Sequence, residues 1–217
     1  TQLKTDVFSS PFYYEDQVKY FQYGGKKDIR DDPESIASII YNFHNSHNNR
    51  IMALFTSHKM LNQTYRELRS KPEGRDLPVF AQRYGVSRYS ILQGMHSNPN
   101  GILLGTNAFW EGIDLPGELL ETLIITKLPF GVPTEPVVWA YSKSVDVSGG
   151  SSFFDYTVPE CVIKFRQGFG RLIRSTLDQG TFIVLDNRVI TKGYGKHFSD
   201  SIPVHHEVVE NINELNF

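Results

Sequence analysis

The sequence holds a single cysteine, Cys161, so the chain can form no internal disulfide and offers no cysteine cluster to a metal. Such usage suits a reducing compartment, and a cytoplasmic location is the expectation. No apolar run approaches the roughly 18 residues of a membrane span. The first residues, Thr1-Gln2-Leu3-Lys4, lack the charged-then-apolar order of a secretion signal. An excess of one charge is also lacking. The formal net charge is −2, which argues against a generally basic nucleic-acid binder. A phosphate loop of the form G-x-x-x-x-G-K-[ST] is missing. Gly195-Lys196 is followed by His197 and has Ile190 where the first glycine belongs, and Gly25-Lys26 is followed by Lys27. No Asp-Glu dipeptide is available to hold Mg²⁺ beside such a loop.

What is present is enough for a folded unit. The chain has 217 residues, 40% of them hydrophobic, which suits one domain with a real core. The near-neutral average hides a concentration of positive charge. Residues 161–198 carry Lys164, Arg166, Arg171, Arg174, Arg188, Lys192 and Lys196 against Asp178 and Asp186. Focused charge attracts phosphates whatever the net value.

Apolar runs alternate with helical patterns. Residues 1–32 read as irregular. Asp32-Pro33-Glu34 opens a helix with Asp32 as cap, and Ile36, Ile39, Ile40 and Phe43 form its inward face. Strands are expected at 50–56, 78–82, 102–104, 122–128 and, as the last one, 181–186. Helices are expected at 59–70, 87–95, 137–144 and 157–175, with a mobile loop at 148–152. Apolar strands separated by helices predict a mainly parallel sheet covered on both faces, with the working loops beyond the strands' carboxyl ends.

The segment 157–175, TVPECVIKFRQGFGRLIRS, is the most informative. Thr157 and Glu160 have the spacing of a capping box. Val162, Phe165, Phe169 and Leu172 make one face, and Lys164, Gln167, Arg171 and Arg174 the opposite one. Gly168 and Gly170 each cost a helix about 1 kcal/mol relative to alanine, which is tolerated where something must approach the backbone. Two guanidinium forks on one face suit capture of phosphate oxygens, and a solvated amphipathic helix is the plainer alternative.

The loop 105–117 combines glycines, aromatics and acids. Thr106 and Asn107 can bond a phosphate and Asp114 can accept from a ribose hydroxyl. Phe109 and Trp110 either plug the core or, for Trp110, stack on a base. His44 and His47 share a helix but lack a third metal ligand, and read as solvated surface. Cys161, near a helix start, is either a reactive thiol or a packed small residue.

Together these segments resemble motifs V and VI of superfamily 2 helicases, in the wording of the DinG/XPD branch. Motif VI, Q-x-x-G-R-x-x-R, is matched by Gln167, Gly170, Arg171 and Arg174, and motif V by Gly105 through Gly117. Ser10-Pro11-Phe12 resembles the start of the family's second motor domain and Leu54-Phe55-Thr56-Ser57 resembles motif IV. Lys127-Leu128-Pro129-Phe130 and Asp186-Asn187-Arg188 resemble flanking segments.

The resemblance implies a RecA-like three-layer α/β sandwich of the P-loop-NTPase type, lacking its own Walker A loop. Residues 33–217 would form the second motor domain after the lead-in 1–32. It implies that ATP and Mg²⁺ are held mainly by a first RecA-like domain, and that single-stranded DNA crosses both domains with 5′→3′ travel. Arg174 would be the arginine finger and Arg171 and Gln167 the γ-phosphate sensors. Glu111, Gly112, Asp114 and Gly170 would lie at ATP. Thr56, Ser57, Thr106, Asn107 and Trp110 would lie on DNA. Some relatives join the motor to a 3′–5′ exonuclease, so a helicase-like regulatory module is an alternative. A non-enzymatic single-stranded DNA-binding module is another. The chain's one D-x-E, Asp32-Pro33-Glu34, sits at a helix start and makes a poor nuclease metal site.

Overall fold

The structure, a computed structural model, describes residues 11–70, 74–106, 109 and 120–211. Its strands are β1 (Val18–Tyr23), β2 (Ile51–Leu54), β3 (Val79–Ala81), β4 (Ile102–Gly105), β5 (Thr122–Ile125), β6 (Gly180–Val184) and β7 (His206–Val209). They form one sheet in the order β3-β4-β2-β5-β6-β1-β7, and each pairing is parallel. The helices are α1 (Tyr14–Gln17), α2 (Pro33–His47), α3 (His58–Ser70), α4 (Arg88–Ser97), α5 (Pro136–Val147), α6 (Val158–Phe169), α7 (Arg188–Thr191) and α8 (Gly195–Ser199).

Period-two alternation sorts the strand side chains into two cores. Met52 and Leu54 of β2 join Leu103, Leu123, Phe182 and Val184 beneath α4 and α6. Ile51, Ala53 and the following Phe55 join Ile102, Ile124 and Ile183 beneath α2 and α3. β2, β4 and β5 are buried on both sides, which is why they read as unbroken apolar runs.

Two strands escaped the sequence pattern. The stretch expected to be irregular contains β1, an interior strand between β6 and β7. Its sequence, VKYFQY, carries Lys19 and Gln22 and mimics no apolar run. The expected last strand, β6, is followed by β7, a short edge strand, HEVV, whose side chains are exposed or half-buried. An edge strand needs no continuous apolar run, so hydropathy does not reveal it.

The Asp32 cap is formed. Its carboxylate accepts from the Ser35 N–H at 3.1 Å and from the Ser35 hydroxyl at 2.8 Å, and pairs with Lys27. The hydrogen bond from Lys27, above all, holds the Asp32 carboxyl down to about 2. Free aspartate titrates near roughly 3.9, so the stabilisation is complete above that pH and fades as pH falls through about 2. Asp32→Ala is expected to cost about 1 kcal/mol at neutral pH. Urea unfolding should show that gap closing toward pH 2. A gap that is constant with pH would mean that the ionised cap contributes nothing.

Candidate functional site

The arginine-bearing segment departs from a single long helix. The helix α6 ends at Phe169 with Gly170 as its C-cap, so Arg171 and Arg174 lie on the turn beyond it. The Arg171 N–H bonds the Gly168 carbonyl and the Leu172 N–H that of Phe169. The expected capping box is also absent: Thr157 makes no side-chain cap bond. The reason lies upstream. Residues Ser152–Thr157 form a π-helical turn that runs directly into α6, and Ser151 caps that turn through the Phe154 N–H. The loop expected to be mobile is tied down at this point, with Gly150 N–H on the Val145 carbonyl and Ser152 N–H on Asp146.

The inward face of α6 is Val158, Cys161, Phe165, Gly168 and Phe169, with Leu172 just after, while Val162 is half-buried. Phe165 and Phe169 pack on Phe182 of β6, ring centroids 5.4 and 5.3 Å away. Cys161 is among the packed residues, and burial pushes its thiol well up, so the packed reading holds over the reactive one.

Beyond α6, Gln167, Gly170, Arg171 and Arg174 line one open notch of about 270 Å³. Gln167 and Gly170 are exposed, and Arg171 and Arg174 half-buried. Among the described residues, a side chain at Gly170 would meet only carbonyls of its own helix, at 3.5 Å and more. Nothing in the packing of the described residues demands a glycine there. The turn is held by Asp178. One of its carboxylate oxygens accepts the Arg174 and Ser175 N–H groups, each at 2.8 Å, and the other accepts the Ser175 hydroxyl at 2.7 Å. Burial opposes ionisation of Asp178, but these bonds outweigh it and its carboxyl is held low. The same two residues, Gln167 and Gly170, also border a larger groove of about 780 Å³ lined by Phe12, Tyr13 and Tyr14.

A second polar group gathers at the carboxyl ends of β2, β3 and β4. Thr56 follows β2, and the Ser57 hydroxyl caps α3 by accepting the Met60 N–H at 3.2 Å. Thr106 follows β4; its N–H and hydroxyl both donate to Gln82 Oε1 at 2.8 Å, and His58 Nε2 lies 3.4 Å from the hydroxyl. Gln82 and His58 were not foreseen, because three strands meet only in the folded sheet. Gly105 has a packing reason: a Cβ there would fall 2.8 Å from Phe109, whose ring is buried in the core. Phe109 is thus a core plug. Asn107, Trp110, Glu111, Gly112 and Asp114 lie outside the described residues.

The sheet therefore divides the candidate residues. The polar ledge at Thr56, Ser57 and Thr106 stands at the strands' carboxyl ends, as expected. The arginine turn does not: it leads into the amino end of β6, because α6 runs antiparallel to the strands and the chain must turn before re-entering the sheet. His44, expected on the surface, is buried, with Nε2 2.9 Å from the Asn100 carbonyl. His47 stacks on Phe43 with centroids 4.1 Å apart. Among the described residues no group of three or more His, Cys, Asp and Glu side chains could hold a metal, and no helix is long and apolar enough to cross a membrane.

A family model described as a helicase C-terminal domain matches residues 40–205. The chain is 37% identical over 206 residues to the 3′-5′ exonuclease DinG of Bacillus subtilis, covering 92% of this chain and 22% of that protein. It is 40% identical over 163 residues to the ATP-dependent DNA helicase DinG of Photobacterium profundum, covering 73% of this chain and 23% of that one. The chain thus spans under a quarter of the length of these two relatives. Among solved structures, an XPD helicase superposes with a TM-score of 0.65 at 15% identity, over 88% of this chain and 35% of that one. Dbp5 of S. cerevisiae, bound to RNA and ADP BeF3, superposes with a TM-score of 0.55 at 13% identity, over 92% and 44%. These two likenesses show the RecA-like helicase fold.

Proposed function

The chain belongs to the helicase C-terminal domain family, in its DinG/XPD branch, and on that premise we propose that it is the second motor domain of an ATP-dependent DNA helicase. The observation that carries the proposal is the notch in which Gln167, Gly170, Arg171 and Arg174 converge. Two guanidinium groups and an exposed amide suit the oxygens of a terminal phosphate. Gly170 leaves its backbone approachable from outside the chain. In this reading Arg174 acts as arginine finger and Arg171 and Gln167 sense the phosphate. Glu111, Gly112 and Asp114 complete the nucleotide contacts of this domain.

The remainder of the ATP site is assigned to a first RecA-like domain. The chain has no phosphate loop, and its described residues offer no cluster that suits Mg²⁺. Single-stranded DNA is the proposed partner of the ledge formed by Thr56, Ser57 and Thr106, and Asn107 and Trp110 are proposed as further DNA contacts. Because the Thr106 hydroxyl donates to Gln82, the adjacent His58 and the rest of the Gln82 amide are added as phosphate donors. Travel is assigned 5′→3′. A second reading is favoured by one observation: the Bacillus subtilis relative is named as an exonuclease. In a protein of that kind this domain would regulate a nuclease rather than drive unwinding.

The purified chain is expected to bind single-stranded DNA weakly, with a shallow dependence of log affinity on log salt, since half a track meets few phosphates. It should not hydrolyse ATP, because neither the phosphate-loop lysine nor the metal-binding acids are present. Fluorescence anisotropy across a salt series and a phosphate-release assay test both. DNA-stimulated turnover by the chain alone, or salt-insensitive binding with a firm sequence preference, would refute the assignment.

A further inference from the structure

The arginine turn is bracketed at both ends by one short segment that has no counterpart among the residues proposed for catalysis. At the near end, the Tyr14 ring packs on Phe169, the last residue of α6, with centroids 5.7 Å apart. At the far end, Gln17 is buried, and its Nε2 donates to the Ser175 carbonyl at 3.0 Å and to the Asp178 carbonyl at 2.8 Å. Both partners are acceptors, so the amide can sit only with its nitrogen toward them. Gln17 and the Asp178 carboxylate thus hold the turn in complementary ways, one as donor and the other as acceptor. Gln17 holds the carbonyls of Ser175 and Asp178, and Asp178 holds the N–H groups of Arg174 and Ser175.

We propose that Gln17, acting through Ser175 and Asp178, is a positioning residue that fixes Arg174 for phosphoryl transfer. The inference rests on the reading of Arg174 as arginine finger. The origin of the Arg174 side chain is set by the backbone of the turn, and three of these four bonds end on Arg174 or Ser175. Loss of the brace leaves the charge in place and blurs its position. Misplacement of a reacting group by about 1 Å costs on the order of 100-fold in rate while leaving ground-state contacts largely intact.

The test uses the intact protein, in which this chain is joined to its first motor domain. Gln17→Glu keeps the shape and turns a carboxylate oxygen toward two carbonyls. It is expected to lower DNA-stimulated kcat about 10- to 100-fold with the nucleotide Kd changed less than about 3-fold. Asp178→Ala, which releases the other hold on the turn, should behave alike if Gln17→Glu fails to fold. Added to Arg174→Ala, either change should lower kcat no further, because a positioning residue has nothing left to position. A purely structural role would lower Tm and leave kcat of the folded enzyme unchanged, and that result overturns the proposal. If instead Arg174→Ala itself retains normal turnover, the reading of Arg174 fails, and the role of Gln17 fails with it.

Discussion

In the intact protein, Arg174→Ala is expected to lower DNA-stimulated ATP turnover about 10³- to 10⁵-fold, the range found for arginine fingers. The guanidinium would meet charge that develops on the transferred phosphoryl group, so the loss should fall on kcat more than on nucleotide affinity. Arg174→Lys should fare little better, since a point charge does not replace a planar fork. The backbone at Arg174 is held by Asp178 rather than by a helix. The variant should therefore keep its turn, because the bond from the Arg174 N–H to Asp178 does not involve the side chain. DNA binding without nucleotide should be nearly unchanged. Steady-state hydrolysis, measured beside equilibrium binding of nucleotide and of single-stranded DNA, checks all of this. Turnover within about 2-fold of normal would match an ordinary surface arginine and would leave Arg171 as the candidate.

The second large effect concerns stability. Asp186 is fully buried at the end of β6. Its carboxylate accepts the Leu128 N–H at 2.9 Å and the Arg188 guanidinium at 2.6 and 2.9 Å, and Arg30 lies 3.7 Å away. Burial works against the Arg188 charge, yet the hydrogen bond to Asp186 and that carboxylate's charge raise its pKa overall. Removing one partner of such a pair leaves the other uncompensated, at a cost of about 3–5 kcal/mol. For a domain of this size, Asp186→Ala should then lower Tm by about 6–20 °C. Asp186→Asn, which keeps an acceptor for Leu128, should cost less. Thermal and urea unfolding decide it, and a loss under about 1 kcal/mol would show that Arg188 finds solvent without penalty.

The Asp186–Arg188 pair shows what kind of information the sequence withheld. Asp186-Asn187-Arg188 was visible as a segment resembling a motif flank, and nothing in it said that its carboxylate would close on Leu128, 58 positions earlier. Gln17 was invisible for the same reason: its partners lie 158 and 161 positions away. By contrast, the Asp32 cap was legible because cap and recipient are three residues apart. The Thr157 box, equally local, failed because a π-helical turn had already taken the preceding residues into the helix. β1 and β7 were missed where polar residues interrupt the run or where an edge leaves the side chains wet.

The sequence by itself determined the family, the parallel α/β class and the identity of the motif residues. These depend on residue types at short spacings and on runs buried on both faces, and a linear pattern records both. Only the tertiary structure decided where the described ones among those residues lie. It ended α6 at Phe169 and put Arg171 and Arg174 on a braced turn at the amino end of β6. It gathered Thr56, Ser57, Thr106 and Gln82 at the carboxyl ends of neighbouring strands. The physical reason is that strand order, 3-4-2-5-6-1-7, is set by how two apolar faces are covered at once. That condition couples residues far apart in the chain and leaves no periodic trace along it.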